Sequence, residues 1–497
     1  MVHCFSINGC NIVLDVVSGS VHLVDELAYE VLQVLPKELP EGESFIGENV
    51  ENLRIVREHF PGKDLDGVIK ELNTLIQKGQ LFSTLSSSAR ETEINFARQV
   101  HDSSTDICKN SENNKKNDKN NKGGKNIIKA LCLHIAHDCN LRCGYCFAGE
   151  GDYGTITRNL MSLEIGKKAI DFLITNSGGR RNLEVDFFGG EPTINFDVVE
   201  GIVSYARERE AETGKNFRFT LTTNGLLLDN DKMEYINANI DNVVLSLDGR
   251  KEINDKMRKR HDGSGCYDAI LPKFQKMAKM TESSKITKNR CKSYYIRGTY
   301  TKENLDFCND VLHLADLGFS QISVEPVVAP PTASYAIEWE NVPALCKEYE
   351  RLATEMLTRD FNFFHFMLDM TNGPCAAKRI TGCGAGTEYL AVTPEGDLYP
   401  CHQFVSDKAF FLGNLDTGVV NTDWQKEFSK CNVYTKPECD KCWAKYFCSG
   451  GCAANAYQAN GDIMKPEEIG CELQKKRVEC ALYLLAMRKM KSRACSH

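Results

Sequence analysis

The sequence predicts an α/β fold. A partial barrel of six β/α units lies at its centre, with a small winged-helix-like domain before it and a cysteine-rich domain after it. Three observations support this prediction. Strand-like apolar runs follow one another between residues 127 and 330, and several end in glycine or polar residues. Residues 11–24 have the composition of a β-hairpin, and cysteines gather towards the carboxyl end.

The amino-terminal domain is predicted to span residues 1–83. Two short β-branched strands in residues 11–24 are joined by a Ser-Gly turn, and Asp25 is a suitable N-cap for the helix that follows. After a turn-rich stretch, apolar spacing predicts a further helix in residues 65–81. Residues 84–126 are rich in Asn, Lys, Gly and Ser and cannot bury enough apolar surface to fold. We therefore predict a disordered linker there, which tethers this domain to the barrel.

The barrel is predicted over residues 127–330. Its first four strands precede a trio of cysteines, a Gly-Gly-Glu-Pro segment, a Thr-Thr-Asn-Gly segment and a Ser-Leu-Asp-Gly segment. Because active sites of β/α barrels lie at the carboxyl ends of the strands, we expect these groups to converge at one end. The predicted strands are residues 131–136, 185–188, 217–221, 243–245, 294–299 and 322–327.

The cysteines that follow the first strand are Cys139, Cys143 and Cys146, in a C-x3-C-x2-C arrangement. A closed tetrahedral metal site and a [4Fe–4S] cluster each usually take four protein ligands. Three thiolates on one tight loop would leave one iron open to another ligand. Taken alone, the motif also fits a zinc knuckle or three unrelated thiols.

This loop, with Tyr145 and Phe147 beside its last cysteine, resembles the signature of the radical SAM superfamily. The resemblance implies that the open iron binds the amino and carboxylate groups of S-adenosylmethionine, whose reductive cleavage starts the chemistry. It also implies that the Gly-Gly-Glu segment contacts the methionyl amine, and that Ser246 and Arg258 hold the carboxylate. The catalytic residues stay unassigned. The expected cofactor contacts are Tyr145, Gly189, Gly190, Glu191, Thr222, Asn224, Ser246, Asp248 and Arg258.

A second cysteine cluster is predicted to form a domain over residues 375–480, between a bridging helical region at 331–374 and a carboxyl-terminal tail at 481–497. Its C-x2-C-x5-C-x3-C segment alone also fits a zinc ribbon. With the flanking cysteines, the segment resembles the SPASM pattern, which implies two auxiliary [4Fe–4S] clusters. The resemblance assigns Cys439, Cys442, Cys448 and Cys471 to a distal cluster and Cys383, Cys401 and Cys452 to a nearer one.

The nearer cluster then lacks a fourth thiolate. Cys375 is one candidate for the fourth ligand. Alternatively, Cys375 is a loop thiol without a ligand role, and the cluster has an open iron. A substrate cysteine would then bind this iron as a thiolate and be held in place there. His402 follows Cys401, at the place where sulfatase-maturing SPASM enzymes carry a catalytic aspartate. We assign His402 no catalytic role, and its presence argues against sulfatase maturation.

Composition limits the function classes. The chain has 497 residues, a formal net charge of −8 and 42% hydrophobic residues, without the basic field of a nucleic-acid-binding protein. Neither a secretory signal nor a membrane-spanning run is apparent. In so long a chain, 22 cysteines indicate metal binding more than a disulfide scaffold. We therefore expect a cytoplasmic protein that binds neither nucleic acid nor membranes.

Nearly the whole chain resembles the maturases of six-cysteine (SCIFF) peptides, most strongly in residues 1–28, 139–146 and 382–404. The resemblance implies thioether bonds between a peptide cysteine sulfur and a carbon of another residue. The expected cofactors are S-adenosylmethionine and three [4Fe–4S] clusters. The amino-terminal domain resembles the peptide-binding domain of the pyrroloquinoline-quinone peptide chaperone. It is expected to bind the leader of a cysteine-rich precursor peptide by adding a strand to its hairpin.

An electron donor such as flavodoxin or ferredoxin is the other expected partner. Two alternative functions stay open. One is another SPASM modification, either formylglycine formation in a sulfatase or carbon–carbon cross-linking in a peptide. The other is a non-enzymatic, zinc-bearing regulator that binds a peptide or, through its winged helix, DNA.

Overall fold

The computed structural model describes residues 1–39, 46, 51–84, 91–92, 127–154, 158–284, 292–368, 380–405 and 407–494. Almost all of the predicted linker at 84–126 lies outside the described residues, and so does Cys375. The described strands form one three-stranded, one eleven-stranded and one two-stranded sheet.

The amino-terminal domain combines an antiparallel sheet with three described helices. Asp25 caps the first helix as predicted, accepting a hydrogen bond from the Ala28 backbone nitrogen at 2.8 Å. The sequence pattern does not predict β1 or α2, because β1 lacks strict alternation and α2 is mostly polar, with Leu53 and Val56 buried. The elements are β1 (Val2–Ile7), β2 (Cys10–Asp15), β3 (Val21–Val24), α1 (Glu26–Val34), α2 (Glu51–His59) and α3 (Leu65–Gln77).

Six parallel strands form the partial barrel, in the same spatial order as in the chain. The fold class predicted from the sequence is confirmed. Alternation along the strands separates two faces: on the third barrel strand Phe217, Phe219 and Leu221 pack outwards, so Thr222 faces inwards. The strands are β4 (Ala130–Ala136), β6 (Asn182–Gly189), β7 (Asn216–Thr223), β8 (Asn242–Ser246), β10 (Ser293–Tyr300) and β11 (Gln321–Pro326).

Helices alternate with these strands and bury their outer face. Every helix in the described parts of the chain is too short or too polar to span a bilayer. The barrel helices and the helix that follows them are α4 (Leu163–Asn176), α5 (Phe196–Thr213), α6 (Asn230–Asn239), α7 (Lys251–Met257), α8 (Tyr267–Ser283), α9 (Phe307–Asp316) and α10 (Val342–Glu355).

Segments that follow the barrel in the chain continue its sheet at both ends of the strand order. Strand β13 (Tyr389–Val392) pairs in parallel with β4, and β12 (Asn362–Phe363) pairs with β11. The remaining elements are β14 (Asp397–Tyr399), β15 (Gly413–Asn414), β16 (Gly418–Val419), α11 (Thr422–Lys430), α12 (Pro437–Asp440), α13 (Lys445–Cys448), α14 (Ala453–Asn460) and α15 (Glu468–Ala494).

Helix α15 contacts all three parts of the chain. It runs without a break through residue 481, where the sequence pattern predicts the start of a tail, and it packs along α10. Phe5 of the amino-terminal sheet belongs to the same buried cluster as Leu473 of α15. The His3 ring stacks on Trp443 with centroids 3.7 Å apart, and its Nε2 lies 2.9 Å from Glu479 Oε1. The amino-terminal domain therefore packs directly against the body of the chain.

Candidate functional site

The loop with the three clustered cysteines follows β4 at the carboxyl end of the barrel. Within it β5 (Leu141–Cys143) pairs antiparallel with β9 (Arg258–Arg260), which places Arg258 opposite Cys143. The Gly144 backbone nitrogen also donates to the Met257 carbonyl at 2.8 Å. This short sheet anchors the loop against the segment after α7 and brings the predicted arginine to the cysteines.

Two predicted glycines let the end of β6 lie directly against this loop. Gly189 has φ +118, and a Cβ placed there would stand 2.4 Å from the Ala136 carbonyl oxygen. A Cβ on Gly190 would stand 2.1 Å from the Asp138 carbonyl oxygen. Both distances are far inside van der Waals contact, so the tight approach of backbone to backbone requires glycine at both positions.

Glu191 joins the ends of β6 and β7. Its buried carboxylate accepts hydrogen bonds from Thr223 Oγ1 at 2.7 Å and from the Asn224 and Thr193 backbone nitrogens at 2.7 and 3.1 Å. Asn224 Nδ2 in turn lies 3.7 Å from Cys139 Sγ. Burial raises the pKa of Glu191, and these donors lower it. In this structure Glu191 therefore positions Asn224 beside the loop.

A buried network joins Tyr145, Asp248 and Arg258. The Tyr145 hydroxyl lies 2.7 Å and 2.8 Å from the two carboxylate oxygens of Asp248, and Arg258 Nη1 donates to that hydroxyl at 2.8 Å. Asp248 also accepts from the Thr299 backbone nitrogen at 3.0 Å. Arg258 Nε is buried without a partner in the described residues, so a donor stays available for an anion. Ser246 ends β8 nearby, half-buried.

The donor set fits an iron–sulfur cluster. Burial raises the pKa of Cys143 to about 12. The positive charge of Arg258 lowers this pKa, and the charges of Cys146 and Cys139 raise it further. The three thiols therefore lie close enough to interact electrostatically. Among the described side chains, no three His, Cys, Asp or Glu groups approach closely enough to share a single ion. In a [4Fe–4S] cluster each thiolate binds a different iron, so three thiols on one loop can hold a cluster without sharing one ion.

The remaining cysteines fall into two further sets. Burial raises the pKa of Cys401, and the charges of Cys452 and Cys383 raise it further. Burial raises the pKa of Cys471 to about 12, with additions from the charges of Cys448, Cys439 and Cys442. These neighbourhoods are the two ligand sets that the sequence predicts. Their role as iron ligands stays a prediction.

Two more cysteines approach the nearer set, and the first, Cys132, is hydrogen-bonded with the Tyr389 side chain. The second is Cys431, whose pKa is raised by the charge of Cys383 in addition to burial. The Cys431 sulfur contacts Met464 Sδ at 3.5 Å and the Ile463 carbonyl oxygen at 3.7 Å. Among the described residues, the thiols of the nearer set are therefore those of Cys383, Cys401 and Cys452.

The two cysteine regions contact one another through rings. Phe147 follows Cys146 and His402 follows Cys401, and their ring centroids are 5.4 Å apart. Phe188, on the inner face of β6, packs against His402 with centroids 4.9 Å apart. The predicted cofactor loop and the nearer cysteine set thus pack against one another at this end of the barrel.

Other groups near these rings are not predicted from the sequence. Arg297 projects inwards from β10, is about half exposed, and pairs with Glu325 at 3.1 Å. His134 on β4 hydrogen-bonds His137 with Nδ1 and Nε2 3.0 Å apart, and both rings are buried. The sequence does contain one indication of this pair. His134 occupies an inward-facing position of a strand that is otherwise apolar, and burying a polar side chain costs free energy unless it is hydrogen-bonded.

The fold and the cysteine sets define a β/α-barrel enzyme scaffold with a cluster-binding carboxyl domain. Comparison with known families agrees: residues 133–285 match the Radical SAM superfamily, and residues 383–443 match SPASM, an iron–sulfur cluster-binding domain. The chain therefore has the domains of radical SAM enzymes that carry a SPASM domain.

Individual relatives are more distant. The chain is 26% identical over 343 residues to a cysteine-type anaerobic sulfatase-maturating enzyme of Clostridium perfringens, covering 63% of this chain and 85% of that protein. It is 25% identical over 344 residues to the mycofactocin maturase MftC of Mycolicibacterium smegmatis, covering 65% and 78%. The solved structure of native anSMEcpe with bound AdoMet has a TM-score of 0.59 at 21% identity, covering 72% and 98%, and shows the shared fold.

Proposed function

We propose that this chain is a radical SAM maturase that forms intramolecular thioether cross-links in a ribosomally made, cysteine-rich peptide. The contact between Phe147 and His402 carries the proposal. This contact, and the packing of Cys146 in the same buried cluster as Cys401, support a location of the nearer cysteine set beside the cofactor loop. A peptide cysteine held at that set would face the carbon that reacts. Two relatives whose names state a maturation activity support the broader class of peptide or protein modification.

The proposed cofactors are S-adenosylmethionine and three [4Fe–4S] clusters. When bound, S-adenosylmethionine and its cluster supply hydrogen-atom abstraction from an unactivated carbon. Cys139, Cys143 and Cys146 would hold that cluster, and Arg258 would orient the carboxylate through its free Nε. Gly189, Gly190 and Glu191 set the loop and Asn224 against each other, while Phe147 stacks on Phe188 with ring centroids 6.5 Å apart.

The amino-terminal domain is proposed to bind the leader of the peptide. Strand β3 lies at the edge of its sheet, and Leu23 on it is 40% exposed. An extended peptide can add a strand to such an edge through backbone hydrogen bonds. Because Phe5 and His3 pack this domain against the body, a bound leader raises the local concentration of the attached core peptide at the barrel. A flavodoxin or ferredoxin is the proposed electron donor.

The test uses anaerobically reconstituted, reduced protein with S-adenosylmethionine and a cysteine-rich precursor peptide. Peptide mass is recorded before and after iodoacetamide. We expect loss of two hydrogens per event, with one thiol becoming resistant to alkylation each time, and we expect a leaderless peptide to react more slowly. Loss of two hydrogens with every thiol still alkylatable would mean a carbon–carbon bond. A formylglycine product would reinstate the sulfatase-type reaction.

A further expected result concerns Tyr145. Changing Tyr145 to Phe removes the hydroxyl that links Asp248 to Arg258 and leaves the ring in place. A hydrogen bond to a charged group contributes about 1.5–3 kcal/mol, so we expect S-adenosylmethionine to bind roughly 10–100-fold more weakly. Calorimetric titration of the reconstituted protein measures this, with iron content expected to match the wild type. Equal affinity would show that the Tyr145 hydroxyl does not position Arg258, whose direct ion pair with Asp248 at 3.7 Å stays in place.

A further inference from the structure

Arg297 is a charged side chain on the inner face of the barrel for which the proposed cofactor chemistry gives no role. On the same strand, Tyr294, Ile296 and Tyr300 are fully buried and pack outwards, so the alternation of β10 turns Arg297 inwards. The Arg297 side chain is nevertheless 55% exposed. An exposed side chain on an inner face means that this side of the barrel is open to solvent, so that a ligand can reach the guanidinium.

The strand register places Arg297 beside the predicted cofactor site. It lies next to Ser246, a predicted cofactor contact that ends β8, and on its other side next to Ser323 of β11. Burial and, to a lesser extent, the positive charge of Arg297 lower the pKa of His402 to about 4. The guanidinium is therefore within electrostatic range of the residue that follows Cys401. Arg297 thus lies between the cofactor side of the barrel and the nearer cysteine set, where the proposed reaction requires the peptide.

Glu325 is the partner of Arg297. Arg297 Nη2 donates to Glu325 Oε2 at 3.1 Å, while Ser323 Oγ donates to Glu325 Oε1 at 3.4 Å. In the part of the chain that the structure describes, this is the single hydrogen bond of the Arg297 side chain, so most of its five N–H donors remain open. Glu325 is itself 31% exposed. An ion pair this exposed adds little to stability, so stability gives little reason for a charged pair here.

An exposed aromatic surface adjoins this pair. Tyr295, two residues before Arg297 on the same face of β10, meets the Phe364 ring edge-on with centroids 5.4 Å apart, and Phe364 is 49% exposed. His365 follows Phe364, and its Nε2 lies 3.9 Å from Glu325 Oε1. The rings and the charged pair therefore form one continuous surface. We call Tyr295 and Phe364 the aromatic ledge.

The groups of this surface match a peptide main chain. A peptide unit offers one carbonyl acceptor and one N–H donor close together. Arg297 supplies donors and Glu325 supplies an acceptor side by side, so the pair can satisfy both. A free carboxylate fits less well, because the negative charge of Glu325 would repel it. The aromatic ledge lies where a side chain next to that peptide unit would pack, and an apolar side chain suits it.

We propose that Arg297 and Glu325 bind the peptide unit next to the reacting cysteine of the core peptide, with the adjacent apolar side chain on the aromatic ledge; this rests on the proposed function, which makes a cysteine-rich peptide the substrate. Arg297 donates to the peptide carbonyl oxygen, and Glu325 accepts from the peptide N–H. Recognition of the main chain holds the cysteine beside the nearer cysteine set without selecting the charge of its neighbours. Both residues position the substrate and take no part in bond making.

The first test measures binding apart from catalysis. A fluorescently labelled core peptide without its leader is titrated with reconstituted, unreduced protein, and anisotropy reports the dissociation constant. We expect Arg297→Met to weaken binding about tenfold, the lower end for a hydrogen bond to a charged group, because the side chain is half exposed. The KM for the full precursor should rise by a similar factor. Arg297→Lys, which keeps the charge but loses the planar fork, should fall between.

Iron content and S-adenosylmethionine affinity are expected to stay at wild-type values in both variants. Arg351→Met is the matched control. Arg351 is 42% exposed on α10, outside the barrel, and pairs with Glu348 at 3.2 Å. Its loss removes a comparable exposed ion pair and should leave peptide binding, KM and cofactor affinity unchanged.

The second test locates the bound peptide unit. Methylation of one peptide nitrogen at a time removes one N–H donor from the core peptide. We expect one position beside the reacting cysteine where methylation weakens binding about tenfold to the wild type but not to Glu325→Leu, which has no acceptor to lose. Phe364→Ala should remove the preference of the wild type for leucine over alanine at the adjacent residue, and should keep the effect of methylation.

Wild-type affinity and KM in Arg297→Met would overturn the proposal. An equal loss of S-adenosylmethionine affinity in that variant would also overturn it, because Arg297 would then serve the cofactor. Effects of methylation that are the same in the wild type and Glu325→Leu would do so as well. A wild-type protein that binds the core peptide through Arg297 but makes no alkylation-resistant product would instead overturn the proposed function and leave the binding site in place.

Discussion

Changing Cys143 to Ala is expected to abolish cleavage of S-adenosylmethionine. Cys143 lies on β5 opposite Arg258 and within electrostatic range of Cys139 and Cys146. Removing it leaves two thiols on the loop, too few to hold a cluster with one open iron. Even groups outside the ligand shell change metal affinity or activity by about 10–100-fold, so a lost ligand should cost more. The measurement is 5′-deoxyadenosine release after anaerobic reconstitution and reduction.

The pairing of β5 with β9 uses backbone hydrogen bonds, so the alanine variant should keep the fold. Cys346→Ala is the matched control: this thiol is half-buried on α10, belongs to none of the three cysteine sets, and its variant should retain full cofactor cleavage. Iron analysis should show a loss of about four irons per chain for Cys143→Ala and none for Cys346→Ala. Undiminished 5′-deoxyadenosine release by Cys143→Ala would show that the radical cluster is assigned to the wrong thiols.

Changing Gly190 to Ala is expected to displace the cysteine loop and prevent assembly of its cluster. The added Cβ would stand 2.1 Å from the Asp138 carbonyl oxygen and 2.9 Å from that of Gly151. Both obstacles are backbone atoms, which cannot turn aside as a flexible side chain can. Overpacking typically costs about 1–3 kcal/mol, and here the strain falls on the loop that carries Cys139. Iron per chain and the spectrum of the reduced cluster report the effect.

Gly179→Ala provides the control for the same chemical change. A Cβ at Gly179 has no neighbour within 4 Å, and this glycine precedes β6 on the surface. We expect wild-type iron content and cofactor cleavage for it. If Gly190→Ala also kept its cluster and bound S-adenosylmethionine normally, the close approach of β6 to the loop would not be what shapes the site.

Local patterns in the sequence were enough to predict the barrel, and the structure brings the segments that follow its strands to one end. Each parallel strand ends at the same edge, so segments that follow successive strands, such as Gly189-Gly190 and Asn224, must converge. The cysteine spacing similarly predicts which thiols share a loop. The sequence pattern predicts the amino-terminal domain less completely than the barrel. A short polar helix such as α2 has too few apolar positions at helical spacing for the pattern to indicate a helix.

The roles of individual polar groups needed the tertiary structure. The sequence indicates Arg258 as a cofactor contact, but only the pairing of β5 with β9 places it opposite Cys143 and in reach of Tyr145. Glu191 likewise turns out to bridge two strand ends through its carboxylate. Such contacts join residues that are far apart in the chain, and no local pattern encodes them.

By itself, the sequence indicated the order of the domains, the run of barrel strands, and which three thiols share the loop after the first barrel strand. These follow from spacing and periodicity, which act over a few residues at a time. Only the tertiary structure shows that β13 extends the barrel sheet. It also shows that His3 contacts Trp443 and Glu479 and so packs the amino-terminal domain against the body. His134 and His402, far apart in the chain, pack against the same ring of Phe188. Those arrangements depend on how separate elements pack, and packing between distant segments is settled by the shape and burial of the whole chain.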